Sequence, residues 1–152
     1  MTDARTMRTL RDDDAELETL SQLMAAGFGT KPEDSLKWIK KNDRDGFRVL
    51  EGDGGDLAAC VGILPMGQFF GGSSVKSAGI AAVTTSPAYR GQGHALALMQ
   101  QVLVELRGRG CAMSSLYPAT WHLYRRCGYE LAGSRSKVEV AVERMLDERN
   151  EG

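Results

Sequence analysis

The chain has little of what builds metal or redox centres: three cysteines, two histidines and no CxxC pair in 152 residues. Cys60, Cys111 and Cys127 form an odd set without metal-like spacing, and His94 and His122 stand too far apart to nucleate a zinc site. Reduced thiols and no bound metal are the expectation. Neither sign of charge dominates, with 19 Lys and Arg against 20 Asp and Glu, so no broad positive field exists to hold a nucleic acid. Only a local basic spot could take a phosphate. No apolar run reaches membrane-spanning length, and the opening MTDARTMRTLRDDD has no apolar signal core. These absences point to a cytoplasmic protein with no nucleic-acid or membrane partner.

What is present is an ordinary globular balance, and a chain this long buries enough surface to need no disulfide or metal staple. Thr6 to Leu10 alternates as an edge strand. Asp12, Asp13 and Asp14 offer N-caps for a helix to about Gly27, with Leu17, Leu20, Leu23 and Met24 at helical spacing. Pro32 opens a second helix that turns Leu36 and Ile39 inward, and Trp38 beside them reads as packing. Strands follow over Phe47–Glu51, Leu57–Phe70 and Val75–Thr85, separated by the turns Gly52-Asp53-Gly54-Gly55 and Gly71-Gly72. Gly93 to Arg107 is a helix with Leu96, Met99, Leu103 and Leu106 in register, stopped by Gly108 and Gly110. Met113–Tyr117 is a short strand, Pro118 starts a helix ending near Cys127-Gly128, and Lys137–Val142 alternates as a last strand. The expectation is one mixed α/β domain over residues 1–142, with residues 143–152 a charged tail.

The sharpest feature is Tyr89-Arg90-Gly91-Gln92-Gly93-His94-Ala95, between a strand and the long helix. Helix N-termini present free N–H groups and partial positive charge, which suit a phosphate. Gly91 and Gly93 let the backbone curl close around an anion, and Arg90 adds a fixed charge. A Walker loop would end in Gly-Lys-Ser or Gly-Lys-Thr, and a Rossmann loop would carry a third glycine where Leu96 stands. On the residues alone, a bare strand-to-helix turn is as good a reading as a phosphate site. The side chain of His94 reads as a plain helix entry.

The arrangement Arg-x-x-Gly-x-Ala after a strand and opening a helix resembles the acetyl-CoA signature of the GNAT acetyltransferases. More specifically, AGIAAVTTSPAYRGQGHALAL and SSLYPATWHLYRRCGYELAG, with FFGG before them, resemble the N-terminal acetyltransferase domain of the enhanced-intracellular-survival family. The resemblance covers about Phe47 to Val142. It implies a mixed, mostly antiparallel sheet with helices on both faces, splayed near Val83–Thr85 to admit the pantetheine arm. It further implies that Val83, Thr84 and Thr85 offer backbone contacts to that arm, and that Arg90, Gly91, Gln92, Gly93, His94, Ala95 and Leu96 hold the pyrophosphate. Ala119, where the family often has serine, and Thr120 would lie against the cofactor from the other side.

Transfer from a thioester to an amine needs a neutral amine and a proton for the departing thiolate. By the same resemblance Tyr124 is the acid, and a phenol of pKa about 10 can serve at neutral pH. Tyr117 and Tyr129 read as core residues. The base is not carried over, because the relatives use a carboxylate at a C-terminus far beyond Gly152. The implied activity is acetyl-CoA-dependent N-acetyltransfer, by direct attack, to a primary amine of a small molecule such as an aminoglycoside or polyamine. A protein or peptide N-acetyltransferase, a non-catalytic acetyl-CoA-binding module and a fragment of a longer enzyme stand as alternatives, and a homo-oligomer is left open.

Overall fold

The computed structural model describes residues 5–134 and 136–142. Among the described residues nine α-helices and β-strands follow one another: β1 (Met7–Thr9), α1 (Asp14–Phe28), α2 (Pro32–Lys41), β2 (Phe47–Glu51), β3 (Leu57–Phe70), β4 (Ser73–Thr85), α3 (His94–Gly108), β5 (Met113–Leu116) and α4 (Trp121–Arg126). The strands form one sheet in the order β1-β2-β3-β4-β5, antiparallel throughout except that β5 runs parallel to β4. This is the mixed, mostly antiparallel sheet that the family resemblance implies.

Local chemistry explains the element ends. Asp13 caps α1, its carboxylate accepting from the Ala15 N–H at 3.0 Å, and Gly29 closes the helix in the left-handed conformation. Pro32 occupies the first turn of α2, where its missing N–H costs nothing. Gly71 and Gly72, at φ 57° and 81°, make the tight hairpin between β3 and β4. The end of that hairpin stands clear of the body, leaving Phe69 and Phe70 exposed.

The period-2 alternation of the strands sorts side chains onto two faces. Phe47, Val49 and Cys60 meet Leu17, Leu20, Met24 and Ile39 of α1 and α2 on one face. Leu50, Val61, Ile63, Ala78 and Ile80 meet Leu98, Met99, Val102 and Leu106 of α3, with Tyr124 of α4, on the other. Trp38 packs edge-on against Phe47 at 5.7 Å, as a packing residue should. In α3 the buried stripe includes Leu98 and Val102, whereas Leu96 and Leu103 are half-buried. Apolar residues run consecutively from Ala95 to Met99, so spacing alone does not single out the inward face.

Two expected features differ. Lys137–Val142 forms no strand, and Val138, Val140 and Val142 are exposed. Alternation makes a strand only beside a partner, and among the described residues nothing pairs with it. The last helix begins at Trp121 rather than Pro118, after Thr120 at its N-cap position. The charged tail expected over 143–152 lies outside the described residues.

β4 and β5 differ sharply in length. β4 pairs with β3 along its whole length, but with β5 only over Ser77–Ile80. Residues 81–85 run on past the end of β5, so the sheet opens there. Within this stretch two residues of β4, Ala82 and Val83, face Val61 alone, and Ala82 takes φ 52°. Such a bulge bends its strand and raises the local twist.

The other edge of the sheet is held by charge. Arg8 on β1 donates through Nη2 to Glu51 at 2.7 Å and through both terminal nitrogens to Glu16, whose carboxylate also accepts the Arg11 N–H at 2.6 Å. Glu16 is 8% exposed. Burial pushes its pKa up, but the hydrogen bonds from Arg8 and Arg11 outweigh burial and hold it below its ordinary value. A lowered carboxylate pKa contributes stability that is full above the unfolded value, near 4.5, and lost as pH falls through the folded one. Glu16→Ala is expected to cost about 2 kcal/mol at pH 7, the scale of a charged hydrogen-bond set. Urea unfolding of both proteins from pH 7 to pH 3 should show that difference shrinking; a constant difference would contradict it.

Candidate active site

The open end of the sheet leads directly into the glycine loop. After β4 a single 3₁₀ turn, Pro87–Tyr89, delivers the chain to Arg90, and α3 begins at His94. Gly91 and Gly93 adopt φ 76° and 83°, which a residue with a side chain seldom does. Gly93 is the N-cap of α3 and brings no capping side chain, so the first N–H groups of the helix have no side-chain acceptor. A Cβ on Gly91 would meet nothing within 4 Å, and one on Gly93 only Arg5 Nη1 at 3.8 Å. These glycines are required by conformation, and the space above them is clear.

The loop borders a cavity of about 260 Å³. Its walls are Thr85 at the end of β4, Tyr89 and Arg90, the loop and first turn of α3 (Gly91, Gly93, His94, Ala95, Leu96), and His122, Leu123 and Arg126 of α4. The structure therefore brings Thr85, Arg90, Gly91, Gly93, His94, Ala95 and Leu96 together, as the motif implies. Gln92 stands outside the lining; its side chain donates to the Ala88 carbonyl at 3.0 Å. Val83 and Thr84 do not line the cavity. Val83 packs on the α3 face, and Thr84 is buried with Oγ1 unpartnered among the described residues. Ala119 and Thr120 are exposed and do not line the cavity.

The donor set has one character. Two arginines, two imidazoles and a helix N-terminus face the cavity, and no carboxylate lines it. His94 is 4% exposed, and its Nδ1 has no hydrogen-bond partner among the described residues. A buried polar atom left open beside such a cavity suits an acceptor-rich ligand, and the set fits a diphosphate. Sequence reasoning missed His122 and Arg126. They lie four residues apart on one face of α4, a spacing that could have pointed to them.

Two further residues brace the loop. The Tyr89 ring lies edge-on to His94 at 5.2 Å, and it crosses the backbone at Gly52, where a Cβ would fall 2.2 Å from Tyr89 Cζ. Gly27 plays the same part under β4, since a Cβ there would fall 2.4 Å from Thr84 Cγ2. Cys60 is fully buried beneath the bulge, its Sγ donating to the Ala82 carbonyl at 3.4 Å. Burial pushes its thiol up to about 12, so it holds backbone and is no nucleophile.

The opposite face of α4 carries Trp121, Tyr124 and Arg125, which line a second cavity of about 640 Å³ with the end of β5 and residues 129–134. Tyr124 is buried, and its hydroxyl has no hydrogen-bond partner among the described residues. Burial first, then Cys127 and Tyr129, push its pKa above 10. Tyr129 packs at 6.1 Å from Tyr124 and shares a 2.7 Å hydrogen bond with Ser114, a packing role as expected. Tyr117 departs from the expected core role: it is 80% exposed at the rim of this cavity, beyond the end of β5. Among the described residues no cluster of three or more metal-ligating side chains occurs, and no helix is long and apolar enough to cross a membrane.

Comparison with known proteins bears on the family and the fold. The family model of the acetyltransferase (GNAT) domain matches residues 6–132. A GCN5-related N-acetyltransferase from Anabaena variabilis ATCC 29413 is 36% identical with a TM-score of 0.73, over 80% of this chain and 31% of that one. A GCN5-related N-acetyltransferase from Kribbella flavida is 31% identical, TM-score 0.68, over 84% and 34%. Eis1 from Mycobacterium abscessus shares the fold at 21% identity, TM-score 0.66, over 80% and 30%. The chain thus spans about a third of the length of these relatives. No curated protein matches it.

Two substitutions test the loop. Arg90→Ala removes one charged donor and should weaken acetyl-CoA binding about tenfold. Gly93→Val forces a β-branched residue to φ 83° at a cost of about 1–3 kcal/mol and crowds the anion's approach, so binding should weaken at least as much. Calorimetric titration checks both, and equal affinity in all three proteins would remove the loop from the site.

Proposed function

The chain belongs to the GNAT acetyltransferase family, and from that premise we propose that it is an acetyl-CoA-dependent N-acetyltransferase acting on a primary amine of a small molecule. The observation that carries this reading is the division of labour across α4. One face closes a cation-lined cavity at the N-terminus of α3, and the other presents a buried, protonated phenol to a larger cavity. The length of β4 left without β5 gives an extended backbone edge beside them.

Bound acetyl-CoA would supply an acetyl group already activated as a thioester. The rest falls to this chain. The N–H groups of the Gly91–Leu96 loop, with Arg90 and Arg126, would hold the diphosphate, and the open edge at Val83–Thr85 would align the pantetheine amides. These contacts fix the reacting carbon before the amine arrives, which is where most of the entropic cost of a two-substrate reaction lies. The Tyr124 hydroxyl would give its proton to the sulfur as the C–S bond breaks. Its raised pKa keeps that proton in place across the physiological range. The proton leaving the amine would pass to water, since Glu130, the carboxylate that lines the larger cavity, is held by Arg125.

The larger cavity also bears on the acceptor. Tyr117, Trp121 and Leu131 give it an aromatic and apolar wall, and its one carboxylate, Glu130, is already paired with Arg125 at 2.8 Å. This lining supports an amine carried on an apolar or aromatic body better than a polycation such as an aminoglycoside or polyamine. A dense positive charge would want several free carboxylates.

Tyr124→Phe keeps the ring and removes the donor. Turnover of an amine that the wild type acetylates should fall about a hundred- to ten-thousand-fold, with acetyl-CoA affinity unchanged. Because burial raises this pKa, the falling limb that Tyr124 adds to the rate profile should have its midpoint at higher pH than the titration of a free phenol. Unchanged turnover in Tyr124→Phe would make it a packing residue.

A further inference from the structure

We infer that Arg5, 87 residues away in sequence, is a positioning residue that sets the direction of the Gln92–Gly93 peptide and thereby the anion-binding form of the loop. The inference rests on the proposed acetyl-CoA site. Arg5 Nη1 donates to the Gln92 carbonyl oxygen at 2.7 Å. In a trans peptide the C=O and the following N–H point in opposite directions. Drawing the Gln92 oxygen toward Arg5 therefore turns the Gly93 N–H the other way. Gly93 lines the cation-rich cavity and Gln92 does not, so that other way is the ligand side.

The alternative orientation is cheap. Gln92 stands between two glycines at positive φ, and a flip of this peptide would carry Gly93 from φ 83° toward the negative region that glycine also tolerates. The side chain of Gln92 is tied to the Ala88 carbonyl, but that bond does not restrain the peptide's direction. After a flip the carbonyl dipole would face the diphosphate, replacing a donor with an acceptor. Arg5 opposes this with a charge-assisted hydrogen bond, and its own backbone is anchored by Gln101 of α3. Gln101 Nε2 donates to the Arg5 carbonyl at 2.9 Å, while Gln101 Oε1 accepts the Met7 N–H at 3.0 Å. The first strand is thereby locked to α3 at one end of this relay and the loop at the other. When only a fraction of molecules hold the competent loop, apparent affinity falls by that fraction, although each competent molecule binds as tightly as before.

Arg5→Met and Arg5→Lys separate the possibilities, since Lys keeps both the donor and the charge. In ligand-free protein the ¹H–¹⁵N resonance of Gly93 should shift or double in Arg5→Met and stay near its wild-type position in Arg5→Lys, with thermal stability alike in all three. For an amine that the wild type turns over, KM for acetyl-CoA should rise about tenfold in Arg5→Met, with kcat at saturation unchanged and with recovery in Arg5→Lys. An unmoved Gly93 resonance in Arg5→Met overturns the inference. If acetyl-CoA affinity falls all the same, Arg5 acts on the ligand by its charge alone. A wild type that binds no acetyl-CoA refutes the proposed function instead, while a shifted Gly93 resonance in its ligand-free Arg5→Met form would still support the peptide lock.

Discussion

The site depends on a mismatch of strand lengths. β4 has 13 residues and β5 has four, so the end of β4 passes the last rung of their ladder and leaves backbone groups without a strand beside them. Ala82 at φ 52° bends that end, a conformation worth of order 1–3 kcal/mol of strain. The surroundings hold it in place: the Cys60 thiol reaches the Ala82 carbonyl, and Thr84 is pressed against a glycine of α1 that has no Cβ to intrude. A straight β4 fully paired with β5 would satisfy its own hydrogen bonds and leave nothing open to a substrate. Backbone left unpaired at the mouth of a cavity is costly alone, and occupation by an extended ligand arm would relieve that cost.

Charge is distributed so that a nearly neutral protein can own a positive cavity. The formal net charge is −1, yet no carboxylate lines the loop cavity. Several acids are instead tied to arginines elsewhere: Glu16 and Glu51 to Arg8 and Arg11, and Glu105 to Arg48, where two hydrogen bonds of 2.8 and 2.6 Å join β2 to α3. The hydrogen bonds from Arg48 hold the Glu105 pKa down, so that acid stays charged and paired at the end of α3 away from the loop. The positive end of the α3 dipole and the Arg126 guanidinium of α4 then act on the same small volume without a competing anion.

Much of this could be read from the residues. Element order, the bounds of β2 and β3, the Asp cap of α1, the double-glycine hairpin and the loop itself all rest on local signals, and local signals survive folding. What escaped depends on distance. Arg5 meets Gln92 across 87 residues, Gly52 meets Tyr89 through a tertiary contact, and neither pairing has a sequence signature. The family resemblance implies Ala119 and Thr120 at the cofactor; both are exposed outside the loop cavity, which His122, Leu123 and Arg126 of the following helix line. The alternating valines of Lys137–Val142 failed as a strand for the same reason, because a pattern names a face but supplies no partner.

On the proposed reading, the loop at the head of α3 binds acetyl-CoA chiefly through its phosphates. Calorimetric titration of the wild-type chain with acetyl-CoA and with S-acetylpantetheine, which keeps the thioester arm and lacks every phosphate, tests this most directly. Losing two or more charge-assisted hydrogen bonds should weaken binding by more than about a hundredfold. The expected result is clear one-to-one binding of acetyl-CoA and at least that loss for the phosphate-free arm. Equal affinity for the two would mean that the cation-lined cavity contributes nothing, and would contradict the assignment of the loop as the phosphate site.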